Sequence, residues 1–140
     1  MQKLRSVLLV DDDPTNNFLN QRLLKRLDVA EQVVVAENGQ AALALLQPAG
    51  PDDTALGFPS LILLDIQMPI MNGIEFLQAY QLLPLDARRH TTVVVLSTSV
   101  DARDLSQLDE LPAAGRINKP LTPEKIETAL KLHFEHQQAG

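Results

Sequence analysis

Three aspartates in a row, Asp11, Asp12 and Asp13, follow the apolar run from Val7 to Val10, and another, Asp65, follows Leu61 to Leu64. Two unit charges 4 Å apart repel by about 4 kcal/mol at an effective dielectric near 20, so carboxylates gathered in one place need a counter-charge. A hard divalent cation supplies it, and Mg²⁺ in particular keeps waters and binds through one or two carboxylates together with a phosphoryl group. Asp12 and Asp65 are the expected ligands. Further along, Ser97 ends the apolar run from Val93 to Leu96, and Lys119 precedes Pro120. Lysine offers a mobile point charge with three donors and serine a hydroxyl donor, both suited to phosphoryl oxygens. A carboxylate is a competent covalent nucleophile of the aspartyl-phosphate kind, and in-line transfer to it needs mostly positioning.

Such a site exists only if the fold brings these positions together. Residues 4–10, 33–35, 61–64 and 93–96 are short apolar runs that read as strands, and 116–118 can be a last, short one. Between them lie helical patterns. Asp13 with Pro14 looks like an N-cap with proline in the first turn, and Leu19, Leu23, Leu24 and Leu27 recur at helical spacing over 14–28. Asn38 and Gly39 mark a turn before a helix over 41–46, and Gly73 opens another that runs to about Leu82 before Pro84 breaks it. Leu105, Leu108 and Leu111 mark a helix stopped by Pro112, and Thr122, Pro123 and Glu124 open a last one. Residues 47–59, rich in proline, glycine and aspartate, read as a surface loop of insertion length.

Five strands alternating with five helices predict a doubly wound α/β parallel sheet, since each parallel crossover needs a helix to return the chain. Ligands bind such sheets at the carboxyl ends of the strands. Asp11, Asp12, Asp65, Ser97 and Lys119 all fall there.

Composition narrows the partners. The 140 residues fit one domain, 1–140, and there is no cysteine, which excludes a disulfide framework, thiolate metal sites and a cysteine nucleophile. The net charge is −6 and the twelve basic residues are scattered, so no nucleic-acid partner is expected. No apolar stretch is long enough to span a membrane, and the run after Arg5 is too short for a signal peptide; a cytoplasmic location is the expectation.

In its acidic pair Asp11 and Asp12, the run Asp-Ile-Gln-Met-Pro-Ile-Met-Asn-Gly over 65–73, Ser97 after its strand, and Lys119 with Pro120, the sequence resembles the receiver domain of bacterial two-component response regulators. The likeness covers nearly the whole chain and is to the single-domain kind typified by the chemotaxis regulator. It implies a flavodoxin-like (βα)5 receiver fold with Asp65 as phosphoacceptor, and Ser97 and Lys119 on the phosphoryl group. It further implies Mg²⁺ held by Asp11 through water, by Asp12 and Asp65, and by the Gln67 carbonyl. The implied partners are a sensor histidine kinase or histidine phosphotransfer protein upstream, docking by the first helix and the loop after Lys119, and a protein effector downstream. Phosphorylation-dependent homodimerisation is a habit of that family. With no output domain expected within residue 140, the chain reads as a stand-alone regulator whose only catalysis is its own phosphorylation and dephosphorylation.

The pattern departs from the family at Arg116, where a tyrosine or phenylalanine usually stands three residues before the lysine, and at Thr98, where a small residue is usual. Gln67 and Ser99 occupy the positions that the resemblance associates with phosphoryl lifetime. Asp13 reads as a helix cap, and Tyr80, Phe76 and Phe134 as packing residues. His133 and His136, three apart on the last helix, read as a solvated or half-buried helix face rather than a metal pair, and His90 takes no catalytic role. A hydrolase using an aspartyl intermediate is disfavoured, because Gln67 stands where a second aspartate would be needed. The remaining alternative is a pseudo-receiver that binds a partner without phosphorylation.

Overall fold

The computed structural model describes residues 3–46, 58–97 and 102–139. The chain runs β1 (Leu4–Val10), α1 (Pro14–Leu27), β2 (Ala30–Ala36), α2 (Gly39–Leu45), β3 (Leu61–Asp65), α3 (Gly73–Tyr80), α4 (Leu85–Arg88), β4 (Thr92–Ser97), α5 (Ala102–Asp109), β5 (Gly115–Asn118) and α6 (Pro123–Ala139). Among the described residues all four strand pairings are parallel and the order is β2-β1-β3-β4-β5, the flavodoxin-like doubly wound arrangement.

Val7–Val10 of β1, Leu61–Leu64 of β3 and Val93–Leu96 of β4 are continuous apolar runs because both faces of the sheet are covered there. Period-two alternation divides their side chains between two cores. Leu8, Val10, Ile62, Leu64, Val93 and Val95 face the side of Phe76, Leu77, Tyr80 and Leu108. Val7, Leu9, Leu61, Leu63, Val94 and Leu96 face the side of Leu24, Ile126, Ala129 and Leu130. The edge strand β2 is half exposed, which explains its polar start at Glu31 and Gln32 and why the apolar run alone understates its length.

Helix starts follow local chemistry. The Asp13 carboxylate accepts from the N–H groups of Thr15 and Asn16, and Thr122 Oγ1 accepts from Lys125 N–H at 3.2 Å. Asn72 and Glu75 form a reciprocal capping box at 2.9 and 3.0 Å, fixing α3 directly after the loop that leaves Asp65.

Three sequence expectations need correction. Among the described residues six helices are present, not five, because Pro84 ends the turn after α3 but is followed by the one-turn α4. Leu19 and Leu27 lie on the outside of α1, 54% and 37% exposed, because the helix turns Asn17 and Leu24 inward. Asn38 caps a helix that begins at Gly39 rather than at Ala41. Most of the expected 47–59 loop, together with Thr98 and Ser99, lies outside the described residues.

His133 is buried on α6, with Nδ1 2.9 Å from Thr92 Oγ1 at the start of β4. Burial, helped by His136, lowers its pKa below the usual histidine value. In the window between the depressed folded value and about 6.5, the unfolded chain binds the proton and the native chain does not. Stability is therefore full above that window and falls as pH drops through it. The slope contributed by this one proton is at most about 1.4 kcal/mol per pH unit. Urea unfolding at a series of pH values should show this slope in the native protein and a flatter profile in His133→Gln.

Candidate functional site

The site assembles where the carboxyl ends of β1, β3 and β4 meet. Asp11 directly follows β1, Asp65 and Ser97 are the last residues of β3 and β4, and Lys119 directly follows β5. The register aligns Asp65 with Leu96 and Ser97 with Asn118, so these ends lie at nearly one level. Asp11, Asp12, Asp65, Gln67, Ser97 and Lys119 line one cavity of about 180 Å³. Among the described residues, Asp11, Asp12 and Asp65 are the carboxylates that gather for a cation, with ligand atoms within 4.8 Å of one another.

Lys119 bridges two of them, its Nζ 2.9 Å from Asp11 Oδ2 and 3.2 Å from Asp65 Oδ1. Burial alone would lower the lysine pKa, but the hydrogen bond to Asp11 and the charges of both carboxylates outweigh it and hold the value above the ordinary one. The ammonium is charged at neutral pH. Asp65 moves the other way from a simple ion pair: burial raises its pKa, and Asp11 adds to the rise, against the lowering effect of Lys119 and the Ile66 backbone N–H. Its ionised form is thus held at a cost.

Two features that support the site are not obvious in the sequence. Asn17, buried on α1, donates from Nδ2 to the Asp11 carbonyl at 2.8 Å, while Asp13 N–H donates to Asp11 Oδ1 at 3.0 Å, so the first carboxylate is held at both its backbone and its side chain. Asn17 sits at i+6 from Asp11, a spacing that becomes a contact only once the helix folds back over the strand. Gly73 N–H donates to the Ile66 carbonyl at 2.8 Å and closes the loop that follows Asp65. Arg116 is exposed on β5 and does not line the cavity. Among the described residues His133 and His136 join no metal-binding group.

The donor set suits a hard divalent cation. Three carboxylates against one ammonium leave two negative charges, and every side-chain donor atom is oxygen.

The family model of the response regulator receiver domain matches residues 7–131. The chain is 35% identical over 105 residues to response regulator Rcp1 of Synechocystis sp., covering 75% of this chain and 69% of that protein. A crystal structure of a two-component response regulator from Cytophaga hutchinsonii superposes with a TM-score of 0.81 at 29% identity, over 96% of this chain and 99% of that one. The bacteriophytochrome response regulator AtBRR superposes with a TM-score of 0.75 at 30% identity, over 95% and 94%. The chain spans 53%, 29% and 30% of the length of three other curated relatives, which are larger proteins. With the motif residues in one cavity and the family model covering nearly the whole sequence, this chain belongs to the response regulator receiver domain family.

Proposed function

We propose that residues 1–140 act as one receiver unit that accepts a phosphoryl group on Asp65 from a phosphohistidine donor, a sensor histidine kinase or a histidine phosphotransfer protein. The observation that carries this reading is the gathering of Asp11, Asp12, Asp65, Ser97 and Lys119 around one small cavity. In the step, an Asp65 carboxylate oxygen forms a bond to phosphorus as the donor's bond to phosphorus breaks, leaving an acyl phosphate. Lys119 gives up its contact with Asp65 and balances the incoming phosphoryl charge, and the Ser97 hydroxyl donates to another phosphoryl oxygen.

Asp11, Asp12, Asp65 and the Gln67 carbonyl would hold Mg²⁺, with Asp11 acting through water. When bound, such an ion neutralises charge on the transferring phosphoryl oxygens. At ten times its dissociation constant, Mg²⁺ should stabilise the native protein by about 1.4 kcal/mol and raise Tm by roughly 5 °C. Thermal unfolding should show most of that gain lost in Asp12→Asn.

Beside the cavity lies a larger groove of about 750 Å³ between α1 and residues 120–123, with Leu19, Leu23 and Leu121 as apolar lining and Arg22 and Arg26 along α1. This is where the donor protein would dock. Arg22→Glu should slow phosphorylation by a cognate kinase roughly tenfold, about 1.4 kcal/mol, and leave labelling by a small phosphodonor unchanged.

The added charge of roughly −1.5 to −2 would shift a pre-existing equilibrium between two surface states and alter binding of a protein effector. Arg116, exposed on β5 where the family usually carries an aromatic ring, would report the change. The test is intact-mass spectrometry at low pH after incubation with Mg²⁺ and a small phosphodonor. One acid-stable, base-labile phosphoryl group that a chelator prevents would support the reading. No labelling by small donors or by a panel of sensor kinases would move it to a phosphate-independent interaction module.

A further inference from the structure

At the opposite edge of the sheet, where β4 and β5 begin, a second cavity of about 180 Å³ lies between the end of α3, α4, the segment before β5 and α6. Its walls are largely apolar, with Leu85, Val93, Pro112 and Ala113 among them. Among the described residues its ionisable side chains are Arg88, Arg89, His136 and Tyr80, and no carboxylate lines it. In a chain of net charge −6, an apolar hollow bordered by two guanidinium groups and no acid is not the average surface.

The polar groups are arranged in advance. Arg88 donates from Nε to the Leu83 carbonyl at 3.0 Å, and its guanidinium carbon lies 5.7 Å from the centre of the Tyr80 ring. Both contacts fix the plane of the group, and among the described residues it has no acidic partner. Tyr80 is 2% exposed, and its hydroxyl has no hydrogen-bond partner among the described residues. The nearby Thr91 hydroxyl gives its own proton to the Pro59 carbonyl at 2.6 Å and makes no hydrogen bond of adequate geometry to the phenol. Burial pushes the Tyr80 pKa up to about 12, so the phenol keeps its proton and remains a donor. A buried donor without an acceptor costs free energy that an acceptor brought by a ligand would recover.

We propose that this cavity is a binding site for a small monocarboxylate with an apolar body, its carboxylate on Arg88 and the Tyr80 hydroxyl and its body against Leu85, Val93 and Pro112. Size and wall chemistry select that class. The volume lies below the roughly 300–1,000 Å³ of sites for drug-sized ligands, which excludes nucleotides. Apolar walls cannot replace the hydration of a free phosphate, whereas a planar carboxylate matches the guanidinium fork and leaves an apolar remainder to bury. The site lies at the end of the sheet away from Asp65.

The test is a titration of the ¹⁵N-labelled full chain with benzoate, with benzamide and with inorganic phosphate, followed by amide chemical shifts. Benzoate should give saturable shifts centred on Tyr80, Arg88, Val93 and Ala113, with a Kd on the order of 1 mM. Benzamide and phosphate should give none there. Arg88→Gln should weaken benzoate about tenfold and Tyr80→Phe roughly threefold. Tyr80→Phe keeps the ring and its packing, so that arm stands even where Arg88→Gln disturbs the fold. Equal binding of benzamide, competition by phosphate at equal affinity, unchanged affinity in Tyr80→Phe, or shifts confined to the Arg22 and Arg26 groove would each overturn the proposal.

Discussion

In Asp65→Asn, phosphoryl incorporation from a small donor should fall at least a thousandfold, about 4 kcal/mol on the barrier, and from a kinase to the same extent. An amide oxygen is a poor nucleophile toward phosphorus, and no neighbouring carboxylate is held in the same way: Asp11 is engaged by Asp13 N–H and Lys119, and Asp12 is exposed. The loss should come without loss of fold. The folded-state pKa of Asp65 lies above its unfolded value near 3.8, so the native state holds the proton through that window and the ionised carboxylate costs stability at neutral pH. Replacing it with a neutral isostere removes that cost, and Lys119 keeps its 2.9 Å bond to Asp11. Mass spectrometry at low pH should therefore find no phosphoryl group on a protein whose Tm is equal to or higher than that of the parent. A variant that still labels would place the acceptor elsewhere, and one that unfolds would contradict the electrostatic reading of the pocket.

Much of this arrangement was legible because it rests on local pattern. The runs Leu61 to Leu64 and Val93 to Leu96 are apolar on every residue, which only a strand covered on both faces tolerates, and the functional residues stand where those runs stop. Parallel topology then does the gathering, since strands that run the same way end at the same edge. What escaped the sequence depends on partners far apart in the chain. Thr92 and His133 are 41 residues apart and neither is distinctive alone, yet they meet beneath α6. Leu19 and Leu27 fit a helical period, but the period does not say which stripe turns inward, and Asn17 with Leu24 won. The helix α4 has only four residues and exposes Leu85, so it carries no amphipathic signal. Lys119 could be placed at a strand end, but its sharing between Asp11 and Asp65 is a matter of distances that spacing does not encode.

Gly73 was legible only as a turn or helix start, and its closer constraint is spatial. A Cβ at this position would lie 2.5 Å from the Asp65 carbonyl oxygen and 2.8 Å from Ile66 Cα, both backbone atoms. Neither can rotate away as the end of a side chain would. The same residue donates its N–H to the Ile66 carbonyl, so backing off to make room for a methyl group also stretches that bond. Relief must come from moving α3 or the end of β3, and α3 is anchored by Phe76 and Leu77, both fully buried. Gly73→Ala should therefore cost about 3 kcal/mol, the upper part of the range for overpacked sites, measured as a lower urea midpoint with an unchanged m value. Whatever part of the strain is relieved by shifting β3 displaces the Asp65 carboxylate from Lys119, so labelling by a small phosphodonor should slow by about a hundredfold, the effect of an ångström-scale misplacement of a reacting group. Gly39 provides the control. A Cβ there would meet the Met71 side chain at 2.8 Å and the Met71 carbonyl oxygen at 2.9 Å and not the Asp65 backbone, so Gly39→Ala should lower stability and leave the phosphorylation rate of the folded protein near that of the parent. If the two alanine variants slow labelling equally, the loss reflects general destabilisation, and the close approach of Gly73 to Asp65 has no special part in positioning the acceptor.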